Sequence, residues 1–260
     1  FLARLSHELR TPLNPVLLLA SEAAANPALP IEVRADFETI AQNVSLEARL
    51  IDDLLDLTAI SRGKLSLDRR PVQLHAVLRD ALAMVRQDVQ QKQLRVRLDL
   101  NATSHTVLGD DMRLKQIFWN LIKNAVKFTP PAGELSIVSH ADAGDRTVRV
   151  AITDTGIGLT TDEASRIFAA FTQGDHASNG GGRFGGLGLG LAISRMLAQL
   201  HAGSITATSL GRNQGSTFTV EFPLSPEAAP STGVAPPRST GQVTNGVVAA
   251  VSRPLRVLVV

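Results

Sequence analysis

The sequence predicts an α+β fold: a two-helix hairpin that pairs with a second copy to form a dimeric four-helix bundle, followed by a two-layer α/β sandwich. In residues 1–62, apolar side chains recur every three or four positions in two segments, separated by the turn Asn26–Pro30. Two amphipathic helices cannot bury both stripes alone, so the bundle requires two chains. From Leu65 onwards short strands and helices alternate, which is typical of a two-layer sandwich.

The composition divides the chain into four segments. Residues 1–64 form the helical hairpin and residues 65–224 the sandwich. Residues 225–252 consist mainly of Ala, Pro, Ser, Thr, Gly and Val with almost no charge, which is typical of a flexible linker. Residues 253–260 contain the apolar run Leu255–Val260, whose strand-type pattern indicates the start of a further, truncated domain.

Helical spacing and local breakers define the helices of the hairpin. The first helix covers about 26 residues, and Pro12 and Pro15 inside it are expected to bend it. The second helix runs to about Arg62 and is ended by Gly63, because glycine adopts the left-handed conformation that closes many helices. Its apolar stripe consists of Phe37, Ile40, Val44, Ile51, Leu54, Leu55 and Thr58.

In the sandwich, period-2 segments predict strands and longer amphipathic segments predict helices. Asp110 or Asp111 is expected to cap the central helix, since a short carboxylate can accept the first free N–H groups of a helix. A turn at Ala143–Asp145 is expected to join two neighbouring strands. The predicted strands are 71–74, 94–100, 134–141, 147–153, 204–209 and 216–222, and the predicted helices are 75–91, 111–128, 161–168 and 189–200.

Charge and cysteine content exclude several classes of function. The chain has 26 Lys and Arg against 24 Asp and Glu, and it has no dense basic stripe, which argues against a nucleic-acid partner. The tightest basic group, read as a solvated hinge, is Arg62, Lys64, Arg69 and Arg70. The absence of cysteine excludes disulfides, thiolate metal sites and cysteine nucleophiles, and it fits a reducing, cytoplasmic location.

No apolar run of the sequence approaches the ~18 residues that a membrane helix needs. We therefore expect no membrane contact within this fragment. The sequence lacks an initiator methionine and begins inside a helical pattern, so we interpret it as a piece of a longer protein. Segments before Phe1 could anchor that parent protein in a membrane.

A histidine and a carboxylate are adjacent near the start of the first helix. The apolar stripe of this segment is formed by Leu2, Leu5, Leu9 and Leu13. His7 lies off that stripe and is expected to face solvent or a partner domain. Glu8 can accept a proton from one ring nitrogen and thereby make the other a better nucleophile, and Thr11 follows one turn later on the same face. Alone, such a pair is ordinary for a solvated helix surface.

Three further stretches favour a nucleotide site. On the central helix, Asn120, Asn124 and Lys127 share one face; amide oxygens suit Mg²⁺, and the lysine can meet phosphates. A predicted strand ends on Asp154, which is followed by glycines that let the chain pass close to a ligand. A partly buried aspartate could accept a hydrogen bond from an adenine amino group, although an Asp-Thr-Gly turn alone is commonplace.

The third stretch is a glycine loop, Gly180–Gly190, with seven glycines in eleven residues, which leads directly into a helix. Backbone N–H groups of such a loop and of the helix N-terminus form a natural phosphate cradle. The loop lacks the Gly-Lys-Ser/Thr ending of a P-loop, which disfavours that class of NTPase.

In this order and spacing, the motifs resemble those of sensor histidine kinases. Ser6–Leu13 resembles the phospho-acceptor box, and the three stretches resemble the N box and the two glycine boxes of the ATP-binding domain. Ile167–Phe171 resembles the phenylalanine box between them, and Gly215–Thr219 resembles the closing strand motif. The resemblance covers residues 1–224, and the combination is highly specific.

The resemblance implies ATP and Mg²⁺ as cofactors and a role for each matching residue. Asn124, with Asn120, would hold Mg²⁺, Lys127 would meet the phosphates and Asp154 would read adenine. The residues implied to shape the pocket and its lid are Gly156, Gly158, Gly186, Gly188, Gly190 and Thr217. Leu187 departs from the pattern, because many relatives carry a small or hydroxylated residue there.

The same resemblance implies ATP- and Mg²⁺-dependent autophosphorylation of His7, with Glu8 as its base and Thr11 as a candidate for positioning water in the reverse reaction. Gyrase-like ATPases share the fold, but they carry a water-activating glutamate where this chain has Asn120, and an amide cannot take a proton. The main alternative is a nucleotide-binding dimeric regulator, a pseudokinase scaffold with little transfer activity.

The expected partners are a second copy of the chain and a response-regulator receiver domain. Leu255–Val260 resembles the first strand of such a domain, so the parent would be a hybrid kinase that passes the phosphoryl group to an aspartate beyond residue 260 or on a separate protein.

Overall fold

The computed structural model describes residues 2–141, 146–172 and 187–225, with side chains from residue 8 onwards. Four predictions concern residues outside this description: the Ala143–Asp145 turn, Gly186, the linker after residue 225 and the apolar segment at 253–260. The backbone of His7 is described as part of a helix, but its side chain is not.

The hairpin consists of α1 (Leu2–Ala25), which includes Pro12 and Pro15, and α2 (Ile31–Ser61). In the turn between them, the Asn26 side-chain oxygen accepts the backbone N–H of Ala28 at 3.0 Å. Gly63 follows α2 with a φ of +63°, and its N–H donates to the Ile60 carbonyl at 2.9 Å. The predicted helix ends are confirmed to within a residue or two, because prolines and a left-handed glycine fix them locally.

The sandwich is built on a five-stranded sheet in the order β2-β4-β5-β7-β6, in which only β2 and β4 pair in parallel. A separate two-stranded antiparallel sheet pairs β1 with β3. The strands are β1 (Arg70–Gln73), β2 (Arg95–Leu100), β3 (Thr106–Gly109), β4 (Glu134–His140), β5 (Thr147–Asp154), β6 (Ser204–Thr208) and β7 (Ser216–Pro223).

Five helices of the described residues accompany the sheet: α3 (Leu74–Met84), α4 (Arg86–Gln91), α5 (Asp111–Phe128), α6 (Thr161–Arg166) and α7 (Gly190–Leu200). Alternate residues of β4, β5 and β7 are buried, and α5 and α7 pack against the sheet, so the core lies between a helical layer and one face of the sheet. The fully buried large side chains of this core include Phe118, Leu121, Ile122, Ile137, Ile152 and Phe222. The predicted mixed fold is thus confirmed.

Three elements differ from the prediction. The helix expected at 75–91 is broken at Val85, whose N–H donates to the Leu82 carbonyl three residues back and whose side chain reaches the core. Strand β3 was not predicted, because its four residues gain their pairing from distant segments, β1 and a bridge between Val107 and Leu224. Helix α6 ends at Arg166, two residues before the predicted end at Phe168.

Of the two predicted capping residues of α5, Asp110 rather than Asp111 caps the helix, and its side chain accepts the Arg113 N–H at 3.2 Å.

Candidate functional site

The first turn of α7 is fixed against α5 by Asn120. This residue is buried, and its side-chain Nδ2 donates to the Gly190 carbonyl and to the Ser194 hydroxyl, each at 3.2 Å. Ser194 in turn donates to the Gly190 carbonyl at 2.8 Å. Because the amide nitrogen is engaged by α7, the amide oxygen is the atom of Asn120 that could act as a ligand. Sequence reasoning missed Ser194, whose partner lies 74 residues away.

Asn124 and Lys127 follow on α5, one and two turns after Asn120, and both are half-buried. Burial lowers the pKa of Lys127, and its Nζ lies 4.8 Å from the centre of the Phe128 ring. An amide and a lysine near one helix end, in a partly dry environment, can interact strongly with a polyanion.

The carboxyl end of α5 is closed by Lys92, a residue that the sequence did not single out. Its Nζ donates to three main-chain carbonyls, those of Val126, Lys127 and Thr129, at 2.7 to 2.9 Å. A cation at the carboxyl end of a helix satisfies free carbonyls and interacts favourably with the helix dipole. Lys92 therefore holds the part of α5 that carries Lys127.

Asp154 is the last residue of β5 and is buried. Its Oδ2 accepts the hydroxyl of Ser216 at 2.6 Å, and its Oδ1 accepts the N–H of Gly156 at 2.7 Å. Burial raises the pKa of Asp154, and these hydrogen bonds partly offset the rise by stabilising the carboxylate. A carboxylate has about four acceptor sites, so it can still accept a hydrogen bond from a ligand.

The turn after Asp154, residues 156–159, which we call the glycine turn, depends on missing side chains. A Cβ on Gly156 would lie 2.6 Å from the Phe128 carbonyl oxygen, and one on Gly158 would lie 2.0 Å from the Gly211 carbonyl oxygen. Gly158 also has a φ of +65°, which disfavours any other residue. These positions allow α5, the glycine turn and the β6–β7 connection to touch through backbone atoms.

The remaining predicted pocket residues are placed as follows. Gly188 and Gly190 lie at the start of α7, whereas Thr217 lies on β7, where its hydroxyl is 3.0 Å from that of Thr153. The hydroxyl that meets Asp154 belongs instead to Ser216. The motif Gly215–Thr219 includes both residues, and strand alternation puts Ser216 and Thr217 on opposite faces. The sequence could therefore have offered Ser216 as the alternative to Thr217.

The predicted acceptor residues lie on α1, in the hairpin. Glu8 and Thr11 are exposed there, and the neighbouring Arg10 donates from Nε to Asp52 of α2 at 2.8 Å. Within the sandwich, the structure brings Asn120 against the start of α7 and the turn after Asp154 against the carboxyl end of α5. It places the acceptor residues on a separate element.

A polar cluster joins α2 of the hairpin to α5 of the sandwich. Asp56 accepts from Arg113 Nη1 at 2.7 Å and from Gln116 Nε2 at 2.8 Å, and the Arg49 guanidinium lies 5.1 Å from the Trp119 ring centre. Nothing in the sequence pattern indicated this contact.

The described part of the chain contains no group of three or more His, Asp or Glu side chains placed to hold a metal ion. The sequence-predicted ligands for Mg²⁺ are the amide oxygens of Asn120 and Asn124. Among the described helices, none is long and apolar enough to cross a membrane.

Two family models match the chain. Residues 1–63 match the His Kinase A (phospho-acceptor) domain, and residues 109–226 match the histidine kinase-, DNA gyrase B- and HSP90-like ATPase. The chain belongs to the sensor histidine kinases. The predicted family and the assignment of the sandwich as a nucleotide-binding domain are confirmed.

This sensor histidine kinase core is similar to the aerobic respiration control sensor protein ArcB of Escherichia coli (strain K12), with 38% identity over 85% of this chain and 28% of ArcB. It is 37% identical to the circadian input-output histidine kinase CikA of Synechococcus elongatus, over 86% of this chain and 29% of CikA. The chain thus spans less than a third of the length of these curated relatives.

Among solved structures, the kinase core resembles full-length ShkA in complex with AMPPNP. The TM-score is 0.71 and the identity is 32%, over 88% of this chain and 46% of that one. The similarity covers both the hairpin and the sandwich.

Proposed function

We propose that this chain is the catalytic core of a protein-histidine kinase that transfers the γ-phosphoryl group of ATP to His7. The observation that carries the proposal is that one chain contains both a candidate nucleotide site and a separate helix with a candidate phosphoryl acceptor. A buried carboxylate with two fixed donors, Ser216 and Gly156, lies beside an amide- and lysine-bearing helix, and a His-Glu pair lies on a separate helical element.

Asp154 is suited to reading the adenine base. Its carboxylate is desolvated and oriented by Ser216 and Gly156, so it can accept a hydrogen bond from the exocyclic amino group without reorganising. The glycine turn beside it allows the backbone to lie against the ring. Thr217 follows Ser216 on β7 and its hydroxyl pairs with that of Thr153, so we propose no direct contact between Thr217 and the base.

The polar residues on the second half of α5 fit a Mg²⁺–triphosphate. Amide oxygens of Asn124 and Asn120 are hard ligands, and the half-buried Lys127 can meet a phosphate oxygen as a point charge. The lid would be formed by Gly186, Gly188 and Gly190 together with the N-terminus of α7, whose free N–H groups favour an anion. Bound Mg²⁺ would neutralise charge on the phosphates during transfer.

His7 would act as the nucleophile. A bond forms between its Nε2 and the γ-phosphorus as the bond between that phosphorus and the bridging oxygen breaks, and ADP leaves. Glu8 would accept the hydrogen bond from Nδ1–H and stabilise the positive charge that develops on the ring. Asn120 cannot serve as a base for water, which disfavours hydrolysis. Thr11 would position water for the reverse, phosphatase direction.

We propose a homodimer as the working form, with residues 1–64 as its dimerisation domain and 65–224 as the catalytic domain. No residue of α2 is buried in a single chain. Large apolar side chains exposed on the hairpin are Leu9, Val16, Leu18, Leu19, Ile31, Ile40 and Leu54. A second copy would cover this surface. The phosphoryl group would then pass to an aspartate of a receiver domain, in the cytoplasm.

A labelling experiment tests the proposed transfer. With γ-labelled ATP and Mg²⁺, the chain should acquire an acid-labile, base-stable phosphoryl group. His7→Ala should abolish the label and leave ATP affinity unchanged, whereas Asn124→Ala should weaken Mg²⁺-dependent ATP binding. His140→Ala, at an exposed histidine of β4, is the matched control and should label normally. Label that persists in His7→Ala would contradict the assignment.

A further inference from the structure

The connection between β6 and β7, residues 209–215, lies directly against the glycine turn. We call this connection the β6–β7 turn. Three hydrogen bonds join the two segments: Asn213 N–H to the Ile157 carbonyl at 2.8 Å, Gly215 N–H to the Gly156 carbonyl at 3.0 Å, and Leu159 N–H to the Ser209 hydroxyl at 3.0 Å. The glycine turn is therefore held along its whole length by a segment about 50 residues later in the chain.

The two turns have almost no freedom to slide. The Ser209 hydroxyl also donates to the Gly215 carbonyl at 2.6 Å, so it links both ends of the β6–β7 turn to Leu159. Gly158 approaches Gly211 so closely that a Cβ would collide with its carbonyl oxygen. A shift of the β6–β7 turn would consequently move the glycine turn with it.

An ion pair also links the β6–β7 turn to Glu163 of α6. Arg212 Nη2 donates to Glu163 Oε1 at 2.8 Å, and the Glu163 side chain is only 7% exposed. The other oxygen of Glu163 accepts the N–H of Thr160 at 2.9 Å in a capping box at the start of α6. Arg212 thus connects the β6–β7 turn to the helix that immediately follows the glycine turn.

We propose that Arg212 and Glu163 are positioning residues for the nucleotide base. They hold the glycine turn, whose Gly156 N–H fixes one oxygen of the Asp154 carboxylate at 2.7 Å. Neither residue needs to contact the nucleotide. This inference rests on the proposed role of Asp154 in binding adenine. It adds that the affinity for ATP and the preference for ATP over GTP depend on a charge pair outside the pocket.

The test compares ATP and GTP binding by titration calorimetry on the full 260-residue chain. Arg212→Gln is expected to raise the Kd for ATP about tenfold, as loss of a charged hydrogen bond does, and to reduce the preference for ATP over GTP. Arg212→Lys, which keeps the charge, should recover part of both. Arg149→Gln, the control, breaks an ion pair with Glu221 on the same sheet and should change the Kd for ATP by less than about twofold.

An unchanged Kd for ATP in Arg212→Gln overturns the inference. So does an equal loss of ATP and GTP affinity, or an equal loss in the control, because each indicates a general structural effect. If Arg212→Gln does not fold, Glu163→Gln removes the same charge pair while keeping an oxygen for Thr160, and the same comparison decides. A wild-type chain that binds neither nucleotide would instead refute the proposed function itself, whereas the other failures leave it standing.

Discussion

The sandwich and the hairpin differ in how much of their apolar surface a single chain buries. In the sandwich, Phe118 and Ile152 are fully buried, and the buried polar Asp154 and Asn120 have partners within the same chain. In the hairpin, Ala20 is the only buried residue among the described side chains, while Leu19 is 65% exposed. One chain therefore completes the sandwich by itself, whereas the hairpin, whose first helix carries His7, leaves apolar side chains exposed that the proposed second copy would cover.

The strongest test of this difference is to place a charge on the exposed apolar face of α1. Leu19→Glu should dissociate the proposed dimer, because two symmetry-related leucines lose their burial and two carboxylates would be desolvated. We expect the dimer Kd to rise about a hundredfold or more, which corresponds to roughly 3 kcal/mol. Light scattering coupled to size exclusion measures the oligomeric state.

The Kd for ATP should not change in Leu19→Glu, because the sandwich is complete without the partner. Ser21→Glu is the matched control, since Ser21 is an exposed polar residue on a different face of α1. A dimer that tolerates Leu19→Glu, or a wild-type chain that is monomeric at micromolar concentration, would contradict the proposed interface.

A second test removes the charge of Asp154 without changing its shape. Asp154→Asn should raise the Kd for ATP about thirtyfold, or roughly 2 kcal/mol, because the amide nitrogen would oppose the adenine amino group. The fold should persist, since an amide oxygen can still accept the Gly156 N–H and the Ser216 hydroxyl can act as an acceptor. Calorimetric titration measures the affinity, and circular dichroism checks the fold.

Thr217→Val is the matched control for Asp154→Asn. It changes the neighbouring strand position, whose hydroxyl pairs with Thr153 rather than with Asp154, and its effect on ATP affinity should be smaller. Equal effects of the two changes would assign the adenine contact to the strand surface as a whole.

The same contrast explains what the sequence could predict. Helices α1, α2 and α5 have strong periodicity and local end signals such as Gly63 and Asp110, so their bounds follow from neighbours in the chain. The pocket motifs also rest on local spacing. Strand β3 and the break at Val85, by contrast, are decided by packing against distant segments.

The side chains that sequence reasoning missed all have partners far away in the chain. Lys92 binds carbonyls 34 to 37 residues away, Ser194 contacts Asn120 across 74 residues, and Arg212 reaches Glu163 across 49. No local pattern marks such a residue, because its role exists only once the topology brings the segments together. Local motifs therefore supplied the candidates for the chemistry, whereas no local motif pointed to the residues that hold those candidates in place.

Acid and base should affect the two regions in opposite directions, which gives the finest test of the comparison. Within the sandwich, His75 donates or accepts at 2.8 Å to Ser139 and stacks on His105 with ring centres 3.6 Å apart. Burial, then the neighbouring His105 and Arg79, lowers the pKa of His75 to about 4. At the hairpin–sandwich junction, burial and then Asp56 raise the pKa of Asp53 to about 6, although Arg49 and Lys123 oppose the shift.

The signs follow from which state binds the proton. Between pH 4 and 6.5, roughly, the unfolded chain protonates His75 and the folded chain does not. The contribution of His75 to the free energy of unfolding is therefore complete above pH 6.5. It falls on acidification by up to about 1.4 kcal/mol per pH unit. Between 3.8 and about 6 the folded chain protonates Asp53 and the unfolded chain does not, so its contribution is present at low pH and is lost as the pH rises.

Urea unfolding from pH 4 to 7.5, followed by the fluorescence of the single tryptophan, Trp119 on α5, separates the two contributions. His75→Gln should flatten the loss of stability below pH 6.5, and the control His140→Gln should not. Asp53→Asn should stabilise the chain above pH 6 and have little effect near pH 4, with the smallest amplitude of all these changes because Asp53 is only half-buried. If both variants shifted the pH profile in the same direction, the junction would titrate like the sandwich core, and the contrast between the two regions would not extend to their electrostatics.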